Sequence, residues 1–391
     1  MGGADVPGMA GKSQMTRVGA VSDAKNWLAS VIKGAPPRWP VEGVDATMLL
    51  EEAQKEDVVV LVQWNLQQAG ESIPADLLAA FSSAARNATL LSMLLQAEAC
   101  AILKALKASS IPGLLLKGSA LAYWAYPQPQ ARACSDVDLL VPSREAAELL
   151  AGELQRQGYL RSETSGQLVA YELMCRREAA PGFQVEIDVH WRLVNSVLFA
   201  EAFSFDELMA ASIALPLLGP NARGLGPIHA CIHACVHRAL NLSIGISDRL
   251  KWLYDIDVLT QRFNANEWDR LVEVARTRGL AGVVLSGLNA SADAFGRALP
   301  ADAVTALRQA YDTESLDMDR LSDWQYMQRM TFNALPGSRQ RLQWVWQRIF
   351  PSKAYLAILY SAPTASYAFL MWLRVRGLLV RLMRRAGDTP G

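Results

Sequence analysis

Apolar residues recur along this 391-residue chain with two different periods. The first stretch carries the spacing of amphipathic helices. A short helix is expected over Asp23–Lys33, ended by the Gly- and Pro-containing run at 34–40. Asp45 suits the N-cap of a helix running to about Gln68, with Met48, Leu49, Val58, Leu61 and Val62 as apolar positions. Another helix is expected from about Asn87 to Ala108, closed by Ile111-Pro112-Gly113. The period then changes. Leu114-Leu115-Leu116, bounded by Gly113 and Gly118, reads as a short buried strand. Val137–Val141, stopped by Pro142, is a second strand, and the alternating run Val185–Trp191 is a third. Between them Ser143 opens a helix from Arg144 to Gly158. Helical spacing resumes near Pro227 and passes the Trp252 and Trp268 regions to beyond Leu307. The first 22 residues are rich in Gly, Ala and Ser, lack the apolar stretch of a signal peptide, and read as a mobile tail.

This order predicts an α/β protein. Its expected parts are a tail (1–22), a helical N-terminal region (23–110), an α/β core (111–215), a helical domain (216–337) and a basic helical extension (338–391).

Composition narrows the class. Apolar residues make up 51% and charged residues 19%, which excludes a wholly disordered chain. Lys+Arg and Asp+Glu both number 38, and this balance argues against a general nucleic-acid binder; no sequence-specific nucleic-acid partner is expected. The five cysteines are odd in number and contain no Cys-x-x-Cys pair, which disfavours a disulfide scaffold or a zinc ribbon and fits a reducing, cytoplasmic setting. Charge is uneven at the C-terminus. No acidic residue lies between Asp323 and Asp388, an interval with ten Lys or Arg. Residues 354–373 are uncharged and long enough to span a bilayer, but Pro363 and several Ser and Thr interrupt them, so two surface-packed helices are expected. With Arg374, Arg376, Arg381, Arg384 and Arg385 alongside, a peripheral contact with an anionic membrane or an acidic partner is an expectation for this extension.

Three segments carry the chemistry. Asp136 and Asp138 are two apart on a strand, so both carboxylates project from one face. Paired carboxylates beside an apolar run are costly unless a cation compensates, and Mg²⁺ is a hard cation that bridges carboxylates to phosphates. On the third strand Glu186, Asp188 and His190 share a face, and a further carboxylate beside the Asp pair would complete a two-metal site. Lys117-Gly118-Ser119 joins a strand to a helix; the glycine permits close approach of backbone to phosphate, the helix start offers free N–H groups, and Lys117 or Arg132 can balance phosphate charge. For each there is a plainer role: turn acids for the Asp pair, an N-cap for Ser119, ordinary ion pairing for Lys117 and Arg132.

At these residues the chain resembles the DNA polymerase beta-like nucleotidyltransferase superfamily, and within it a largely uncharacterised bacterial branch. The resemblance rests on Lys117-Gly118, Tyr126-Pro127, Arg132, Asp136-Val-Asp138-Leu-Leu-Val141, Asp188-Val-His190-Trp191, the histidines His233 and His237, and Trp252-Leu253-Tyr254-Asp255-Ile256. It covers roughly residues 45–350. It implies a small mixed-sheet nucleotidyltransferase core between helical regions. It also implies two Mg²⁺ ions on Asp136, Asp138 and Asp188, and an NTP, ATP being the expected one, held by Lys117, Gly118, Ser119 and Arg132. The acceptor is open among a small molecule, a peptide and a protein. A non-catalytic nucleotide-binding scaffold, or a membrane-surface adaptor, is the alternative. The gap from Gly118 to Asp136 is longer than in minimal antibiotic-modifying members, which leaves the geometry of that loop open.

His229, His233 and His237 fall at i, i+4 and i+8, on one helix face. His233 and His237 are expected to pack at the domain interface and to hydrogen-bond Asp255. Together with His190 and Asp255, His233 and His237 are candidate pocket-lining residues, and a zinc site on this face is the less favoured reading. Cys231 and Cys235 read as small apolar core residues. Trp124 and Trp191 are candidates for stacking a base.

Overall fold

The computed structural model describes residues 9–35, 43–69, 74–162 and 170–387. Four helices come first: α1 (Met9–Ile32), α2 (Ala46–Lys55), α3 (Val59–Gln68) and α4 (Ala75–Ala108). Backbone helicity begins at Met9, so a tail through residue 22 is too long; residues 1–8 lie outside the described part. Ala24, Trp27, Leu28 and Val31 are buried on one stripe of α1, and that burial holds the helix on the core. Asp45 caps α2 as expected, accepting from the Met48 N–H at 2.8 Å. The single helix expected from Asp45 to Gln68 is instead two, broken where Asp57 takes a left-handed conformation (φ 58°). No glycine or proline marks the break, and Asp is among the few residues that enter this region at low cost. The fourth helix starts at Ala75, ahead of the expected Asn87, because Leu77, Phe81 and Ala85 extend its buried face. It is long and apolar enough to cross a membrane; its buried side chains join both cores of the protein, while Leu90, Leu91 and Met93 are exposed.

The sheet segment follows: β1 (Leu114–Leu115), α5 (Lys117–Leu121), β2 (Asp136–Leu140), α6 (Arg144–Arg156), β3 (Leu160–Arg161), β4 (Glu172–Ala180), β5 (Phe183–His190), α7 (Phe205–Ala210), β6 (Ile213–Ala214) and β7 (Arg223–Gly224). Ser143 caps α6 through the Ala146 N–H. The seven strands form one mixed sheet in the order β3-β4-β5-β2-β1-β7-β6, with β2 parallel to β5 and β1 antiparallel to β2. One face carries Val137, Leu139, Leu173, Cys175, Ile187 and Val189, packed against Ile102 and Leu106 of α4 and Leu150 and Leu154 of α6. Alternation along the strands therefore turns Asp136, Asp138, Glu186, Asp188 and His190 to the other face.

That second face meets a helical layer: α8 (Pro227–Ser243), α9 (Leu250–Thr260), α10 (Ala265–Thr277), α11 (Ala281–Phe295) and α12 (Ala301–Tyr311). Its core joins α1, α3, α8, α9 and α11 through Leu28, Leu61, Cys231, Cys235, Ile256 and Phe295. The two α8 cysteines are thus core residues, and all five cysteines are free. Beyond lie α13 (Trp324–Ala334), α14 (Ser338–Ile349), α15 (Lys353–Leu359) and α16 (Tyr367–Gly387). The uncharged run 354–373 is divided between α15 and α16, as its Pro363 predicts.

Candidate active site

The site is built on the register between β2 and β5. Asp136 lies opposite Glu186, Asp138 opposite Asp188, and Leu140 opposite His190. Parallel pairing places Asp138 and Asp188 side by side on the polar face. Their carboxylates and the His190 imidazole each offer a ligand atom within 4.8 Å of the others. The next strand contributes Glu172, paired with His190.

Asp138 is fully enclosed. Lys117 Nζ donates to its Oδ1 at 2.6 Å, and His190 Nε2 lies 3.1 Å from the same oxygen. Burial alone would raise its pKa, but the Lys117 ammonium and the His190 contact outweigh burial and hold the carboxyl well below the ordinary carboxylate range. Burial also works against the Lys117 ammonium, and Asp138 more than compensates. Asp188 has no such help. Its Oδ1 is buried with no hydrogen-bond partner. Burial, then the Asp138 charge, push its pKa up to about 7. Burial and Asp138 likewise raise Asp136. Three carboxylates thus converge with one lysine among them.

The donor set fits a divalent cation. An unpartnered buried carboxylate oxygen beside a second carboxylate is the situation a hard metal ion relieves. Expectation and structure differ on membership: His190 stands in the close group, whereas Asp136 is one pleat along β2, at the cleft. The imidazole sits between acids, with Nδ1 3.2 Å from Glu172 Oε2 but outside hydrogen-bond geometry.

Lys117 opens α5 with a left-handed backbone (φ 46°), strained for a side-chain-bearing residue, and this turn aims its ammonium back at β2. Ser119 is neither the N-cap, a position held by Leu116, nor turned to the cleft. Its hydroxyl donates to Asp136 O at 3.2 Å and accepts from Asp138 N at 3.3 Å, pinning α5 to the carboxylate strand. A Cβ on Gly118 would stand 2.5 Å from Cys134 Sγ and 2.9 Å from Arg132 Nη1, so the glycine is required by the loop that packs on it. Arg132 is committed within the protein. Its Nε and Nη2 donate to the two Asp255 oxygens at 2.7 Å each, and Nη1 donates to Ala133 O. Tyr126 also donates to Asp255, at 2.7 Å.

The α8 histidines do not make the expected hydrogen bonds to Asp255, whose oxygens accept from Tyr126 and Arg132. His237 meets the Trp252 ring edge-on at 5.3 Å and contacts Asn241. His233 is buried with Nε2 unpartnered. Burial, then the Lys117 charge, keep both imidazoles neutral, His237 being lowered to about 3. His229 packs on Phe203, with Nε2 3.7 Å from Glu207. His233, His237 and Asp255 line one pocket with Lys117 and Trp124, whereas Trp191 is buried beneath Arg144 and borders a separate cleft. Among the described residues, no α8 histidine belongs to a group that could share a metal ion.

An open cleft of about 410 Å³ runs from Asp136 and Asp138 past Lys117 and Gly118 to Arg249 and Lys251. Arg249 and Lys251 are functional candidates the sequence did not mark. They stand at the start of α9, held by the α2–α3 turn: Asp57 accepts from Arg249 at 3.0 Å and from Lys251 at 2.8 Å, and Glu56 accepts from the Leu250 N–H. Their signal in sequence is only two cations flanking one leucine. A cleft with acids on one wall and cations on the other suits a triphosphate accompanied by a metal ion.

Residues 42–296, about two thirds of the chain, match the model of a family described as uncharacterised nucleotidyltransferase. The chain belongs to that family. No curated protein matches it. As a nucleotidyltransferase it is an enzyme that acts on a nucleotide, and the matched span contains every site residue above, from Asp57 to Asp255.

Proposed function

We propose that this nucleotidyltransferase moves a nucleoside monophosphate from an NTP, ATP being the expected donor, to a hydroxyl group of an acceptor. Membership of the DNA polymerase beta-like superfamily is part of the same reading. The observation that carries it is the register match of Asp138 with Asp188, which sets an unpartnered buried oxygen beside a lysine-bound carboxylate at the edge of a cationic cleft. In the reaction the acceptor oxygen attacks the α-phosphorus, the α–β bridging P–O bond breaks, pyrophosphate leaves, and the acceptor proton passes to a carboxylate. Asp188, whose carboxyl pKa is raised by burial and by Asp138, would accept that proton. Lys117, Arg249 and Lys251 neutralise the phosphates, and Arg132 and Ser119 fix the loop and helix that present them. Mg²⁺, held by Asp138 and Asp188 with Asp136 as the third carboxylate, would supply charge neutralisation at the transferred phosphoryl group.

The test is transfer of label from α-labelled NTPs to components of a cell extract, with pyrophosphate release measured in parallel. Labelled product that depends on Mg²⁺ and disappears with Asp188→Asn supports the reading. Absence of both label and pyrophosphate with all four common NTPs contradicts it.

A further inference from the structure

Among the described residues, eleven of the twenty exposed large apolar side chains fall between Leu342 and Val375, along the last three helices. On α14, Leu342, Trp346 and Ile349 stand at i, i+4 and i+7, and are 71%, 60% and 52% exposed. On α15, Ile358 is 68% exposed, and on α16 Phe369 and Trp372 are about half exposed. The opposite sides hold the helices in place. Trp344 is buried and its ring lies 5.8 Å from that of Phe332 on α13, Leu356 and Leu370 are fully buried, and Arg374 of α16 donates to the Arg348 carbonyl of α14. The apolar side is therefore left over after the helices have packed. Around it Arg339, Arg348, Lys353 and Arg376 are exposed, in a stretch of sequence without one acidic residue. The family match ends at residue 296, so this surface lies outside the shared catalytic part.

We propose that the α14–α16 surface docks peripherally on an anionic lipid bilayer. Isolated exposed apolar residues are ordinary, but so dense a run along three consecutive helices is not. Tryptophan, phenylalanine and aliphatic side chains beside arginine are the chemistry of helices lying in a membrane interface, where rings sit at headgroup depth and cations meet acidic lipid. Charge complementarity selects this occupant over others. A second copy would bring two cationic faces together with no carboxylate between them. A nucleic acid would meet the cations and the rings but not Leu342, Ile349 and Ile358, which cannot stack on bases. The consequence is that transfer takes place at a membrane surface, independently of which NTP the active site takes.

The test is cosedimentation of the full-length protein with vesicles of phosphatidylcholine alone and of phosphatidylcholine mixed with phosphatidylserine. Binding is expected to the mixed vesicles at least tenfold more strongly, and to weaken with salt. Two sets of exposed substitutions probe the face: Trp346→Ser with Ile358→Ser and Trp372→Ser, and Arg339→Gln with Lys353→Gln. Each should lower vesicle binding about tenfold. Thermal unfolding in the absence of vesicles verifies that both are folded, and the charge set, which touches no apolar contact, stands alone if the first is not. Equal binding to both vesicle types, no binding, or unaltered binding by the charge set overturns the proposal. A dimer in sedimentation velocity that the first set abolishes, or salt-sensitive binding to RNA in place of vesicles, overturns it in favour of the other occupants.

Discussion

Lys117 Nζ lies 2.6 Å from Asp138 Oδ1, the shortest link between the α5 turn and the carboxylate strand. The pair keeps Asp138 ionised in a place where burial would otherwise protonate it. Lys117→Met leaves that carboxylate buried without its counter-charge. Loss of a charged hydrogen bond of this kind is expected to cost about 2 kcal/mol near neutral pH. The sign with pH follows from the lowered pKa of Asp138: its stabilisation is present above the unfolded value and is lost as pH falls toward the folded one. The difference in stability between wild type and variant should therefore be largest near neutral pH and narrow as pH falls below the unfolded carboxylate value, measured by urea titrations at about pH 7 and pH 3.

Asp188 behaves in the opposite sense. Its pKa is raised to about 7, so the folded protein binds a proton that the unfolded chain releases, and its contribution to stability declines as pH rises from about 4 to about 7. Asp188→Asn removes the repulsion with Asp138. The variant is expected to melt at a higher temperature than the wild type at pH 8 and at nearly the same temperature at pH 4. Transfer should fall roughly 100-fold or more, on the order of 2.7 kcal/mol of barrier. A variant both more stable and inactive marks a carboxylate retained for chemistry.

Gly118→Ala forces a methyl group against Cys134 and Arg132. The expected cost is about 1–3 kcal/mol, the range for overpacking. Arg132→Lys loses the two-pronged contact with Asp255 and should destabilise by about 3 kcal/mol, since a buried acid is left poorly paired. Urea titrations separate these structural losses from any change in NTP affinity.

Lys251→Ala and Arg249→Ala act on the ligand instead. Both side chains reach the cleft from partly exposed positions at the start of α9. Each is expected to raise the KM for NTP about tenfold, roughly 1.4 kcal/mol of lost binding, with kcat and melting temperature little altered.

Strands β1, β2 and β5 were legible because each is a short apolar or alternating run with clear stops. The pairing of Asp138 with Asp188 was not, since it depends on a register between strands fifty residues apart in sequence. Strand β4 was hidden for a local reason. Glu172-Leu-Met-Cys-Arg-Arg-Glu-Ala-Ala180 is composed mostly of helix formers, and only its pairing with β5 makes it a strand. Glu172, and with it the second acid beside His190, was lost to view. A left-handed aspartate inside a helical pattern has no sequence mark, so neither Asp57 nor the turn that holds Arg249 and Lys251 over the cleft is legible in the sequence. The sequence marks Arg132 and Ser119 as phosphate-contact candidates, whereas the structure bonds them to Asp255 and to β2.

The central claim is that Asp138 and Asp188 hold a divalent cation on which nucleotide binding depends. The most direct measurement is the thermal shift produced by each common NTP with and without Mg²⁺, in the wild type and in Asp138→Asn. At a ligand concentration about 100 times Kd, binding should stabilise the wild type by roughly 2.7 kcal/mol with Mg²⁺ present. Most of that shift should vanish without Mg²⁺ and in Asp138→Asn. Equal shifts with and without Mg²⁺, or in wild type and variant alike, would contradict the claim and make the fold a nucleotide-binding scaffold.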